Sequence, residues 1–317
     1  MAGMQIAIES PPAADIEELR QLNGAIRLGT QAAPSFATPE GLAELRAGGG
    51  IWAGQTVESA VERELPGPTG PIPARVLIPP VVDGVMLFLH GGGWCIGSAK
   101  DDEVGLLELA TKANVTMVSI DYRLAPEHPF PAGPDDCEAA AMWLLEKGRA
   151  EFGTDRLVIG GGSAGGHLSV LTLLRLRDRH DALGAIVAAN VVAGAFDLGM
   201  TPSQRTSEDA LIIPLATLEA CYHHFLPGLD RERRRDPSIS PLYADLTGMP
   251  PALFTTGTLD PLLDDSMFLA SRWRAAGAHA EVAIYPEAVH GFAAFPTEMA
   301  RLARARMATF VSTQLGR

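Results

Sequence analysis

Little in this sequence suits an oxidising compartment, a cationic surface or a membrane span. Its 317 residues include only three cysteines, Cys95, Cys137 and Cys221. The number is odd and the spacing is not that of a metal site, which excludes a disulfide framework and suits a reducing compartment. Each is expected as a small buried apolar side chain, although Cys95 follows a glycine cluster with chemical potential. Excess positive charge is lacking too: a formal net charge of −13 repels nucleic acid and anionic lipid at long range. The one basic cluster, RERRRD at 231–236, sits among acidic residues and reads as a solvated helix end or loop. The opening MAGMQIAIESPPAADIEELR has neither a basic nor an apolar leader region, so no secretory signal is expected, and the expected compartment is the cytoplasm. The longest nearly apolar run, ALGAIVAANVVAGAF at 182–196, contains Asn190 and falls short of the roughly 18 residues of a spanning helix. It reads as a buried strand.

What the sequence does have is rhythm. Residues 1–54 suggest helices: IEELRQLNGAIRLG and GLAELRAG carry apolar positions three and four apart, with Thr38, Pro39 and Glu40 as a start signal. From Gln55 the period changes. QTVESAVERELPG and PIPARVLIPP read as two antiparallel strands, and GVMLFLH as a buried one. Helices and apolar strands then alternate up to residue 196, which predicts a parallel sheet covered on both faces. Between 197 and 240 the rhythm breaks into prolines and a mixed helical stretch without a strand. It resumes from 241 to 317 with PALFTTG, a helix, AEVAIYPEA and a last helix. The expected organisation is a core at 55–196 and 241–317, with 1–54 and 197–240 forming one helical cap over the carboxyl ends of the strands. The last strand, near 280–286, is expected at an open sheet edge, and a homodimer is expected from pairing there.

One stretch carries the chemistry. VIGGGSAGG at 158–166 follows an apolar β-branched run and leads into HLSVLTLLRLR, which has helical spacing. Gly161-Gly162-Ser163-Ala164-Gly165 fits G-x-S-x-G, a nucleophile on a sharp turn where small neighbours avoid collision with the adjoining elements. LFLHGGGWCIGS at 87–98 supplies successive glycines after a buried strand, which lets backbone amides approach a developing oxyanion. A serine needs a base and the base an orienting acid. LFTTGTLDPLLDD places Asp260 just beyond a strand, and IYPEAVHGF places His290 beyond the next, at the sheet edge that also holds Ser163. Asp264 and Asp265 fall inside the following helix, where they are expected to cap it or face solvent. His128, His180, His223, His224 and His279 have no strand-end placement, and His167 lies in the helix after Ser163. They read as surface or packing residues.

HGGGW, DYRLAPEHPFPA at 121–132, GGSAGG, DPLLDD and HGF occur in this order across nearly the whole chain. The chain thereby resembles the hormone-sensitive-lipase-like branch of the α/β hydrolases, the family IV bacterial esterases. The resemblance implies an α/β-hydrolase fold with a mostly parallel sheet and a helical cap, and no cofactor. It implies the triad Ser163, Asp260 and His290, and an oxyanion hole at Gly92, Gly93 and the amide of Ala164. One departure is clear: the family's usual motif is GDSAGG, and Gly162 replaces the acid.

The expected function is a serine carboxylesterase for small esters with short to medium acyl chains. A lactone, an aryl formamide or an amide would suit the same machinery. A non-catalytic receptor, like the plant gibberellin receptors that resemble this family without the triad histidine, is disfavoured because His290-Gly291-Phe292 is present. No long interfacial segment suggests a true lipase.

Overall fold

The protein is described by a computed structural model covering residues 5–29, 34–48 and 56–316. The expected cap boundary at 54/55 lies outside the described residues. In chain order the elements are β1 (Gln5–Ile8), α1 (Ala13–Gly29), α2 (Pro39–Ala47), β2 (Val61–Pro66), β3 (Pro71–Leu77), β4 (Gly84–Leu89), α3 (Glu103–Ala113), β5 (Val115–Ile120), α4 (Ala132–Phe152), β6 (Leu157–Gly162), α5 (Ala164–His180), β7 (Ile186–Val192), α6 (Pro202–Arg205), α7 (Leu215–Phe225), β8 (Ala252–Leu259), α8 (Leu263–Ala275), β9 (Ala280–Val289) and α9 (Glu298–Gln314).

The strands form one sheet in the order β1-β9-β8-β7-β6-β4-β5-β3-β2. β2 and β3 pair antiparallel, as do β3 and β5, while every pair from β5 to β1 through β4 is parallel. The reason is visible in the sequence: VTMVSI of β5 is buried at every position, which requires cover on both faces. Leu168, Leu171 and Leu269 of α5 and α8 pack with α4 on one face. Leu106, Met299 and Val311 of α3 and α9 pack on the other, with Leu19 of α1. No described helix is long and apolar enough to cross a membrane.

Two expectations about the sheet need correction. QIAI near the N-terminus is a strand rather than part of a helical region, and it pairs parallel with β9 from Gln5↔Glu281 to Ile8↔Ile284. β9 is therefore interior. The open edge on which pairing between copies was expected does not exist at 280–286. Four residues are too few to show a period, so β1 gave no signal.

The segment between β7 and β8 contains α6 and α7 and no strand, as its composition predicts. Asp265 on α8 anchors its start. Its carboxylate accepts from the amides of Phe196 and Asp197 at 2.6 and 2.9 Å, and from Thr201 Oγ1 and Gln204 Nε2 at 2.7 Å each. Asp264 accepts from the Ser203 amide at 2.9 Å. These aspartates thus tie the insertion to the core; Asp265 is fully buried and does not solvate the helix.

Candidate active site

The site is built where β6 turns into α5. A Cβ at Gly161 would come within 2.3 Å of the Leu89 carbonyl oxygen, and one at Gly165 within 1.8 Å of the same atom. Only glycine lets β4 and α5 approach this closely. Between them Ser163 sits at φ 56°, ψ −120°, and its amide still donates to the Val192 carbonyl at 2.8 Å. Such a backbone costs about 1–3 kcal/mol and persists when its surroundings over-determine it. It lifts the side chain off the end of the sheet, at the N-terminus of α5.

Asp260 follows β8, and His290 follows β9, so the topology carries both to the edge that holds Ser163. His290 Nε2 lies 2.9 Å from Ser163 Oγ. Its Nδ1 lies 3.0 Å from each carboxylate oxygen of Asp260. Nδ1 therefore donates to the carboxylate, and Nε2 accepts from the hydroxyl. Asp260 also accepts from the Leu262 amide at 2.8 Å, which fixes its plane. Both partners are buried, at 3% and 2% exposure. Neither Asp264 nor Asp265 reaches His290. Of the other histidines, His180 and His279 face Glu138 and Glu281, and His224 bonds the Phe36 carbonyl.

The glycines after β4 fold beside this relay. Gly92 has φ 109° and Gly93 φ 60°; a Cβ at Gly93 would lie 2.4 Å from Cys221 Sγ of α7. Among the described residues, the amides of Gly92, Gly93 and Ala164 donate to no backbone carbonyl. Three unspent donors thus border the cavity containing Ser163.

Sequence reasoning missed what holds this loop in place. Tyr122 Oη donates to the His90 carbonyl at 2.8 Å, and its ring stacks on His90 at 4.2 Å. Trp94 Nε1 donates to His167 Nδ1 at 3.1 Å, while His167 Nε2 donates to the Ile239 carbonyl at 2.7 Å. Burial pushes His167 down to about 4, which keeps that ring neutral and able to accept. Trp94 also stacks on Phe225 of α7 at 4.6 Å. From α2, Arg46 reaches the carbonyls of Cys95 and Ala125 at 2.8 and 2.9 Å and grips Glu127 at 2.8 Å through two nitrogens. A single arginine on an amphipathic helix has no signature, so only the fold reveals it. Tyr122 lay in a quoted motif, but its partner is named by no spacing.

Two cavities meet at Ser163 and His290. The larger, about 780 Å³, is bordered by Gly92, Gly93 and Ala164 on the core side. Residues 208–222 and parts of 26–36 close it from above. The smaller, about 110 Å³, lies on the face of α3 and α9. Among the described residues, no cluster of three or more His, Cys, Asp or Glu is arranged to hold a metal ion.

Residues 86–294 match the profile of a family described as alpha/beta hydrolase fold. The chain belongs to that family. Within the α/β hydrolases its relatives include a carboxylesterase, NlhH of Mycobacterium tuberculosis, 37% identical over 71% of this chain and 72% of NlhH. Among solved structures, a hormone-sensitive lipase from a metagenome library superposes with a TM-score of 0.82 at 29% identity, over 94% of this chain and 98% of that one. EstE5, in a crystal soaked with p-nitrophenyl butyrate, gives a TM-score of 0.82 at 28% identity, over 95% and 99%. This hydrolase falls in the hormone-sensitive-lipase-like branch.

Proposed function

We propose that this hydrolase is a serine carboxylesterase for small esters with short to medium acyl chains, working through an acyl-enzyme. The observation that carries the reading is the relay of 2.9 and 3.0 Å contacts from Ser163 through His290 to Asp260, set beside three unspent amides. Ser163 Oγ attacks the ester carbonyl while His290 Nε2 takes its proton. Charge grows on the carbonyl oxygen, and the amides of Gly92, Gly93 and Ala164 receive it without reorganising. Asp260 holds the imidazole in the donating tautomer and balances its positive charge. His290 returns the proton to the departing alcohol, then activates water for deacylation.

The helices before residue 55 and the 197–240 segment serve as the cap. The reading of short to medium chains draws support from the 780 Å³ cavity beneath it and from the butyrate ester used with EstE5. The enzyme needs no cofactor for this chemistry. A fluorophosphonate labels an activated serine covalently, so peptide mapping should place the adduct on Ser163, in a preparation that hydrolyses p-nitrophenyl butyrate. Hydrolysis without a label at Ser163 would refute the assignment.

A further inference from the structure

The sealed neighbours of Ser163 contrast with Gly162. A Cβ there meets nothing closer than the Val192 carbonyl oxygen at 3.9 Å, so glycine is not demanded by crowding. The space left by its missing side chain joins the smaller cavity, about 110 Å³, which opens beside Ser163 and His290. Met86, Phe88, Leu106 and Met307 give it apolar walls, and His90, Asn190 and Asp102 give it a polar end.

That end is rich in acceptors. His90 Nδ1 lies 2.8 Å from the Gly91 carbonyl, which can only accept, so Nδ1 carries the proton. Burial holds the ring neutral, and Nε2 is then a lone pair. This Nε2 is buried and has no hydrogen-bond partner among the described residues, and the same is true of Asn190 Oδ1. Both residues are only 2% exposed. Buried polar atoms are normally paired, so two orphaned acceptors on residues that line one cavity point to an occupant that donates. Asp102 adds a carboxylate. Arg304 also lines the space; its Nε donates to Glu108 and its Nη1 to the Ala293 carbonyl.

The position relative to the reaction identifies which part of a substrate enters. Gly92, Gly93 and Ala164 border the large cavity and not this one, so the oxyanion forms on the far side. His290 delivers its proton to the leaving oxygen, and Gly291 and Ala293 continue its wall into the small cavity. Ser163 and His290 border both cavities, and with the oxyanion on the side of the larger one the serine-esterase reading assigns the acyl chain there and the alcohol to the smaller space. At roughly 30 Å³ per water-sized group, the space holds about four non-hydrogen atoms.

We propose that Gly162 opens a leaving-group pocket that selects esters whose alcohol portion ends in a hydroxyl, donated to His90 Nε2 and Asn190 Oδ1. The proposal rests on the serine-esterase reading above. It is tested with 3-hydroxypropyl butyrate and butyl butyrate, equal in length and differing in a terminal hydroxyl or methyl. The readout is the ratio of their kcat/KM values, with active sites counted by fluorophosphonate titration. The wild type should favour the hydroxy ester by about tenfold, the worth of a buried hydrogen bond to an otherwise orphaned acceptor. Gly162→Val, which fills the opening, and Asn190→Leu, which removes one acceptor, should each bring the ratio to about one or below. A wild-type ratio near one would mean that the cavity holds only water, and would overturn the proposal. A tenfold ratio that survives both substitutions would place the hydroxyl under the cap and overturn it equally. If the wild type cleaves neither ester and titrates no serine, the esterase reading itself fails, an outcome distinct from the other two.

Discussion

At the scale of single residues, the arrangement turns on a proton. In the proposed mechanism Ser163 becomes nucleophilic because His290 Nε2 lies 2.9 Å from its oxygen with the opposite nitrogen engaged by Asp260. Ser163→Ala should therefore lower turnover by about 10⁴-fold or more while leaving substrate binding largely intact, as read by single-turnover kinetics and inhibitor affinity. Asp260→Asn should cost about 10⁴-fold by presenting the wrong tautomer. Asp265→Asn makes the control: its four bonds hold the 196–204 segment, so its effect belongs in the melting temperature rather than in a loss of this size. If Asp265→Asn were the more damaging to kcat, the carboxylates would have been assigned the wrong way round. That these three residues meet was legible in the sequence because a strand end, a glycine pair and a chain order are all one-dimensional. Gly162 was legible only as a departure from a motif. Whether it is there for want of space or for another reason needed the 3.9 Å of clearance around its absent Cβ. With that room, Gly162→Asp should fold, and its charge, close to His290, should move the acid limb of kcat/KM upward by roughly half to one pH unit, whereas Gly162→Ala should leave the limb in place. Equal losses from both variants at an unmoved limb would contradict the electrostatic account.

Among elements, α2 reaches the glycine loop through Arg46. Arg46 of α2 bonds the Cys95 and Ala125 carbonyls and Glu127 together, so the loop that carries Gly92 and Gly93 is clamped from outside the core. Arg46→Ala should cost about 1–2 kcal/mol of stability, with the ion pair discounted because Glu127 is more than half exposed to solvent. It should also lower kcat more than it raises KM, because a loosened loop weakens oxyanion binding before substrate binding. The pair has a pH signature. The Arg46 guanidinium holds the Glu127 carboxyl down at about 2, below its usual value of 4.5. A carboxylate depressed in the folded state stabilises it fully above the unfolded value, and that contribution fades as pH falls from about 4.5 toward 2. Denaturant titrations across this window should find the gap between wild type and Arg46→Ala narrowing with acid; a constant gap would exclude the ion pair as its source. Elements with a strong period, such as α5 or the fully buried β5, were readable from sequence. β1 was not, since four residues fix no period and its partner β9 lies some 275 residues away in the chain.

On the scale of the whole molecule, two segments far apart in the chain meet over the sheet. Residues within 26–29, 34–36 and 208–222 come from distant parts of the chain, yet border one cavity of about 780 Å³ with Ser163 at its floor. That volume falls within the roughly 300–1,000 Å³ usual for small-molecule sites, and walls on two sides of a pocket set a length limit that a flat surface would not. The sequence announced the insertion by a break in rhythm. It could not announce its enclosure, because lining residues on two segments share no spacing. With the acyl chain placed in this cavity, as the proposed function has it, each added methylene contributes apolar burial of about 0.8 kcal/mol until the wall is met, after which it costs by crowding. Rates against p-nitrophenyl esters should therefore rise from acetate, peak at roughly four to eight acyl carbons, and fall steeply beyond. Opening the roof should move that limit: Leu211→Ala and Ile213→Ala border the cavity from the cap, and together they should shift the optimum toward longer chains while the acetate rate changes little. A wild-type optimum at palmitate, or a cutoff that both substitutions leave in place, would mean that the chain length is not limited by the cap.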